Sequence, residues 1–304
     1  MNLQVNHSPL RLLYIAVHSH KGWGAEYWLD KAFSRLGLTI IKLDYRQIRS
    51  DSNYDELRRQ IVSLEDDYDA IFLQRADNIP EYVFAGLSKP IVFWSTELLH
   101  RRKDVNQLLR TTHFEWLFVH TPRCIDIIEK KFSHQKDNVS VLHNATPVEN
   151  IVSDKNKKNY FAIFNRSLSF RRRRWLYPSL DLIDVKQGRY GDDYFNDLKQ
   201  SYIAVNIHFS KNIDFETGIF EAMSAGCVVV SETLADKTCF DLKLKDAIIQ
   251  VSSPKELKDV LLELNNNSTL LNEYRDRSLK AIQLNTWDQR AKQIVNVFEK
   301  VLSK

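Results

Sequence analysis

Two carboxylates and a glycine lie close together in the run Asp214-Phe-Glu-Thr-Gly-Ile-Phe-Glu-Ala-Met-Ser-Ala-Gly-Cys-Val-Val-Val-Ser-Glu232. Glu216 and Glu221 flank Gly218. A glycine at a helix start lets a ligand approach backbone N–H groups closely. The N–H groups of Thr217 and Gly218 are then candidate donors to a phosphate. A carboxylate one turn in, Glu221, suits the diol of a ribose. Together these residue types have the chemistry to hold a nucleotide-sugar. A lone glutamate at such a place would more often cap or ion-pair a helix, so the whole run carries the reading.

Those groups need elements to hold them. Ala222–Ala225 reads as a small-residue helix closed by Gly226, and Cys227–Val230 as a buried apolar strand. The same rhythm runs through the chain. In the first half, strands are expected at 12–17, 38–43, 68–73, 90–94, 116–119 and 139–142. Helices are expected between them at 25–36, 53–64, 80–87, 104–109 and 123–132. In the second half, strands fall at 160–164, 182–185, 202–207, 227–231 and 247–251, and helices at 171–177, 192–199 and 218–225. Three helices close the chain at 253–264, 267–282 and 286–302, with Ser253 as cap and Pro254 at the first position of the first. Strands alternating with helices predict doubly wound, Rossmann-like α/β sheets. The polar, charged stretch 153–159 is a linker candidate, dividing the chain into domains 1–152 and 153–304.

Phe220-Glu221-Ala222-Met223-Ser224-Ala225-Gly226-Cys227-Val228-Val229 resembles the donor-site helix of GT-B nucleotide-sugar glycosyltransferases, the family four or group 1 type. That signature reads (F/L)-E-A-(M/L)-A-x-G-x-P-V-(V/I). The family's first glutamate would fall at Ile213, and its proline is Val228 here; the nearby acids are Asp214 and Glu216. The shifted acid is similar to the spore-maturation-protein-like glycosyltransferases. The resemblance implies two Rossmann-like domains facing a cleft, with the donor on the second domain and the acceptor on the first. Trp287 opens the last helix, which often returns to the first domain in this family. His143-Asn-Ala-Thr-Pro147 loosely resembles the family's interdomain turn.

Further site residues follow. Diphosphate charge needs cations; the family's arginine after the first strand of the second domain is matched by Arg166, and Arg171 or Arg172 stands in for its lysine. Asn206 and His208 end the strand before the donor turn, where they are candidates either to touch the nucleotide or to shape the turn. Gly22 and Gly24, in Lys21-Gly-Trp-Gly24, resemble the glycine-rich loop that approaches donor phosphates. An acceptor hydroxyl calls for a general base. Glu97 and His100 follow a first-domain strand, and Glu97 ranks first as the base of an inverting reaction; His18, His20 and His120 are further candidates, and the resemblance puts His120 in the sugar-contacting place of the retaining family.

At 304 residues, 43% hydrophobic and 27% charged, the chain has ample core for two globular domains. No apolar run approaches the ~20 residues of a membrane span, and residues 1–9 lack an apolar signal region. A cytoplasmic location is expected. Three cysteines without ligand spacing support neither a disulfide framework nor zinc. Asp66-Asp67 and Asp192-Asp193 do not read as a metal-binding pair at a strand end, so no metal and no cofactor beyond the co-substrate are expected. The net charge of +4 fits an anionic ligand, and Arg101-Arg102-Lys103 is a candidate contact to anionic lipid heads. The partners this implies are a nucleotide-sugar and a glycan or lipid-linked acceptor, as in bacterial polysaccharide or lipopolysaccharide synthesis. No nucleic-acid recognition pattern appears. A non-catalytic nucleotide or glycan binder and a DNA-modifying glycosyltransferase remain as alternatives.

Overall fold

The computed structural model describes residues 9–18, 22, 24–48, 54–152, 158–210 and 215–304. Two units result: Met1–Asn144 with Trp287–Lys304, and Ala145–Thr286.

The first unit begins with β1 (Arg11–Ala16), α1 (Ala25–Arg35), β2 (Thr39–Asp44), α2 (Tyr45–Ile48), α3 (Asp55–Ser63), β3 (Ala70–Gln74) and β4 (Ile91–Ser95). It continues with α4 (Lys103–Thr111), β5 (Trp116–Val119), α5 (Pro122–Lys131) and β6 (Val139–Val141). Its six strands are all parallel, in the order β2-β1-β3-β4-β5-β6. Helices cover both faces of such a sheet, so β3 and β4 are buried at every residue and read as unbroken apolar runs. Leu13 sits opposite Ile41 on one side and Ile71 on the other. Helix α1 buries Leu29, Ala32 and Phe33 and stops at Gly37, whose φ of 80° is left-handed.

The expected helix over 80–87 is a single 3-10 turn, Glu81–Val83. Pro80 before it and Gly86 after it, at φ 72°, leave no room for an α-helix to propagate.

The second unit contains β7 (Tyr160–Phe164), α6 (Phe170–Leu176), β8 (Ile183–Val185), α7 (Gly191–Lys199), β9 (Ser201–Asn206), α8 (Gly218–Ser224) and β10 (Val228–Glu232). Then come α9 (Asp236–Asp241), β11 (Ile249–Val251), α10 (Pro254–Asn266) and α11 (Ser268–Ile282). Its parallel sheet has the order β11-β10-β9-β7-β8. Helix α10 starts as its sequence dictates: the Ser253 hydroxyl accepts from the Glu256 N–H at 3.2 Å, with Pro254 at the first position. Buried Lys158 donates to the carbonyls of Ser201 at 2.8 Å, Gly226 at 2.9 Å and Ala225 at 3.3 Å, tying the carboxyl end of α8 to β9.

The last helix, α12 (Trp287–Leu302), belongs to the first unit. Its inner side carries Trp287, Ala291, Ile294, Phe298 and Val301. Phe298 meets the Phe72 ring at 6.2 Å between centroids, Trp287 meets Trp94 at 6.1 Å, and Asp288 takes a bidentate pair from Arg35 at 2.6 and 2.8 Å. The chain therefore divides after Asn144, earlier than the polar stretch at 153–159, of which 153–157 lie outside the described residues. Thr146 already belongs to the second unit: its N–H donates to the Asn285 carbonyl at 3.1 Å and its hydroxyl bonds that of Ser224 at 3.1 Å. Among the described residues no helix is long and apolar enough to cross a membrane.

Candidate functional site

In an open parallel sheet, ligands collect at the carboxyl ends of the strands where the strand order reverses. In the second unit that point lies between β7 and β9. Asn165 and Arg166 leave β7 there, Ile207 and His208 leave β9, and α8 begins beside them.

Arg166 is the centre of this cluster. It donates to Glu216 Oε2 at 2.5 Å, and its guanidinium lies directly over Gly218. A Cβ at 218 would sit 1.4 Å from Arg166 Nη2, 2.4 Å from its Cζ and 2.8 Å from the Tyr194 hydroxyl. Only glycine leaves the arginine this seat. The space that sequence reasoning opens to a ligand's phosphate is filled by a side chain of the protein, because Arg166 has carboxylates on both sides. Burial opposes its charge, but the Tyr194 hydroxyl and the Glu216 and Glu221 carboxylates more than restore it.

Glu221 points into the same cluster. Burial pushes its carboxyl above the usual range, and the Arg166 charge and a hydrogen bond from the Tyr194 hydroxyl pull it back only in part. The Tyr194 hydroxyl is in turn pushed up, by burial first and by Glu221 next. Glu216 is the hub for cations. It accepts from Arg166, from Arg172 Nη2 at 2.9 and 3.0 Å, and from the Phe209 N–H at 2.7 Å.

Arg172 spends its remaining donors on Ile207 O, Ser167 O and Ser167 Oγ, leaving nothing for a ligand. Arg171 is the more available of the pair. It donates to His208 O at 2.7 Å and pairs with Glu232. His208 is buried; its N–H donates to Glu232 at 3.1 Å and Nε2 meets Thr233 O at 3.2 Å, while Nδ1 has no partner among the described residues. Asn206 donates to Ser231 Oγ at 2.9 Å, and its buried Oδ1 has no partner among the described residues. Three arginines face three carboxylates, so an arriving diphosphate must compete with Glu216 and Glu232 for them. Thr217 precedes α8 as its cap residue. Asp214 lies outside the described residues.

In the first unit the order reverses between β1 and β3. Gly22 and Gly24 stand in the loop after β1, both left-handed at φ 67° and 116°. Lys21, Trp23 and His20 lie outside the described residues. His18 Nε2 meets the Tyr14 carbonyl at 3.1 Å, and burial lowers its pKa. After β5, His120 is half-buried; its Nδ1 has no partner among the described residues, and burial lowers its pKa to about 4, leaving it neutral at pH 7.

Beyond β2, β3 and β4 lies a cavity of about 780 Å³ with Glu97 on its wall. Glu97 pairs with Arg75 at 3.2 Å and Arg102 at 3.8 Å, with 42% of its side chain exposed. Asp77 binds Arg46, Arg75 Nε at 2.8 Å and Arg102 Nη2 at 2.8 Å. Burial pushes the Asp77 carboxyl up, but the Arg46 hydrogen bond and the charges of Arg75 and Arg102 hold it below its usual range. Burial likewise opposes Asp104, which the Arg102 hydrogen bond and the Asn78 N–H bring down to about 2. His100 is exposed in the next 3-10 turn and does not line this cavity.

Sequence reasoning singled out Arg166, Arg171, Asn206, His208, Glu216, Thr217, Gly218 and Glu221, and these stand in one neighbourhood of the second unit. It passed over Tyr194, whose place on the inner side of α7 reads as core. It also passed over Arg46, Arg75 and Asp77, although Arg46 and Arg75 fall within two residues of a strand's carboxyl end and that position was the available signal.

Two parallel-sheet α/β units of this topology define the GT-B glycosyltransferase fold. Among solved structures the chain is similar to Anabaena HepE in complex with UDP-glucose, at 13% identity and a TM-score of 0.65 over 96% of this chain and 100% of that one. It is similar to sucrose-phosphate synthase from Thermosynechococcus elongatus, at 11% identity and a TM-score of 0.68 over 97% and 99%. A T4 phage BGT mutant in complex with UDP-glucose matches at 16% identity and a TM-score of 0.57 over 97% and 100%. No family profile and no curated protein matches the chain.

Proposed function

We propose that this chain is a glycosyltransferase that moves a sugar, a hexose or a related one, from a nucleotide-sugar to an acceptor hydroxyl. The observation that carries the reading is the cluster of Arg166, Tyr194, Glu216 and Glu221 around Gly218, at the strand-order reversal of a GT-B second unit. Arg166 and Arg171 are the groups to hold the diphosphate, and Glu221 the ribose, once the ligand displaces the Glu216 and Glu232 carboxylates. Arginines take the charge-stabilising role on the leaving diphosphate, so the proposed reaction uses no metal ion.

In the transfer, the acceptor oxygen forms a bond to the anomeric carbon as the bond from that carbon to the diphosphate breaks. The diphosphate leaves with the electron pair and the hydroxyl proton passes to a base. Glu97 is the candidate base for an inverting reaction; neutral His120 is the candidate sugar contact for a retaining one. We place the reaction in bacterial surface glycan synthesis, in the cytoplasm, with the Arg101–Lys103 segment as the contact to a membrane face. The similarity to proteins crystallised with UDP-glucose supports a uridine nucleotide as first probe.

The test is calorimetric titration of the full chain with UDP, UDP-glucose, GDP and ADP, repeated on Glu221→Ala and Arg166→Ala. A ligand at ~100 times its Kd stabilises the fold by about 2.7 kcal/mol. Binding of one of these nucleotides that both variants lose is the expected result. Absence of binding by every nucleotide, or wild-type binding in both variants, would sink the proposal.

A further inference from the structure

We infer that the cavity of the first unit takes a phosphoryl group, held by Arg46, Arg75 and Lys103, and that this group belongs to the acceptor. The word acceptor rests on the transferase reading; the anion site rests on the cavity alone.

The cavity is lined by five basic residues and three acidic ones. The three acids are already engaged with arginines. Arg102 binds Asp77 and both oxygens of Asp104, and only 11% of its side chain is exposed. It is a strut. Arg46 and Arg75 differ: each rests one edge on Asp77, yet 49% and 41% of their side chains remain exposed. Arg46 rests Nη2 on Asp77 and also interacts with the Tyr45 hydroxyl, without using up its five N–H donors, and Arg75 keeps Nη1 beyond its bonds to Asp77 and Glu97. Lys103, at the start of α4, is exposed and has no ion-pair partner among the described residues. Carboxylates thus fix the two forks from behind and leave N–H groups for a guest. Cations from three separate elements, with a surplus of two positive charges over the carboxylates, suit a tetrahedral dianion better than a planar monoanion.

The backbone carries a second sign. Among the described residues, four besides glycine have left-handed φ, and three of them are Arg75 at 73°, Ala76 at 59° and Asn78 at 54°. Such a conformation is disfavoured for Arg and Ala, is better tolerated by Asn, and persists where surrounding bonds enforce it, as at ligand clamps. Here those bonds are Arg75 N–H to Trp94 O, the Tyr54 hydroxyl to Asp77 O, and Asn78 N–H to Asp104. The turn places the Arg75 fork and the Asp77 carboxylate on the same wall as Glu97.

The probes are glucose 6-phosphate, glucose and glucuronate, titrated into the full chain by calorimetry. Glucose 6-phosphate should bind at least about tenfold more tightly than either of the others, and less tightly as salt rises. Arg46→Gln should weaken it about tenfold, since Asp77 keeps Arg75 and Arg102 and the fold is retained. Lys103→Ala, at an exposed position, should weaken it several-fold and gives a readout independent of the buried network. Sedimentation with phosphatidylglycerol vesicles separates the sources: vesicle binding lost in Arg46→Gln assigns the phosphate to a lipid head, and its absence assigns it to a soluble glycan. Equal affinity for glucose, tighter binding of glucuronate, or an unchanged Kd in both variants overturns the inference. If the chain binds UDP-glucose but not glucose 6-phosphate, this inference alone falls. If it binds glucose 6-phosphate but no nucleotide, the anion site stands and the transferase reading falls.

Discussion

Removing the Glu216 carboxylate should both weaken the second unit and sharpen its response to a diphosphate. The side chain is only 12% exposed, and its partners Arg166 and Arg172 are 16% and 4% exposed. It takes N–H groups from both arginines and from the Phe209 backbone. Taking one partner from a buried pair costs about 3–5 kcal/mol, because the remaining charge stays desolvated. For a unit of this size each kcal/mol is worth about 4 °C, so Glu216→Ala should lower the second unit's midpoint by roughly 12–20 °C. Differential scanning calorimetry reads this directly. With the carboxylate gone, a diphosphate no longer competes for the two arginines. UDP should then raise the midpoint of Glu216→Ala by more than it raises the wild type. A drop under about 4 °C, or equal UDP shifts in both proteins, would refute the picture of an internal carboxylate occupying the anion seat.

Gly218→Ala should weaken nucleotide binding at least about tenfold, since its Cβ would lie 1.4 Å from Arg166 Nη2; in a double-mutant cycle it should add little to Arg166→Ala, as measured by calorimetric Kd. Lys158→Met should destabilise the second unit by about 3 kcal/mol, because three buried carbonyls lose their donor; urea unfolding showing less than about 1 kcal/mol would count against that role. Burial holds His120 at about 4 and His143 at about 3 in the folded protein, below the usual imidazole value. The unfolded chain therefore binds more protons, and stability is full above about pH 6.5 and erodes as pH falls toward 4. Urea midpoints at pH 7, 6 and 5 should fall in that order, and His120→Asn should flatten the slope.

The strands and the doubly wound class were close to legible, though not the strand order, because buried parallel strands declare themselves as short apolar runs. Ala70–Gln74 and Ile91–Ser95 are examples, each buried throughout. The helices α2 and α9 went unread since four and six residues carry too little periodicity. The loop-helix junction at Gly218 was legible as a motif, but its contents were not. Which way the Arg166 guanidinium turns depends on Glu216, fifty residues away in sequence, and on Tyr194 across the sheet end. The cavity beside Glu97 was hidden for the same reason. The strand-end positions of Arg46 and Arg75 and the basic run holding Arg102 are visible in the sequence, but only the sheet order brings the three to a shared Asp77.

Helix α12 has a bearing on how the protein is made. The first unit lacks a wall of its core until Trp287, Ile294 and Phe298 arrive, and the second unit, Ala145–Thr286, is translated in between. At ~5–20 residues per second, the ribosome needs roughly seven to thirty seconds to cover that stretch. During this wait Phe72 and Trp94 lack the Phe298 and Trp287 rings, and Phe72 has only Tyr14 and Phe33 beside it. The nascent amino-terminal half thus keeps this part of its apolar core uncovered until α12 has been made.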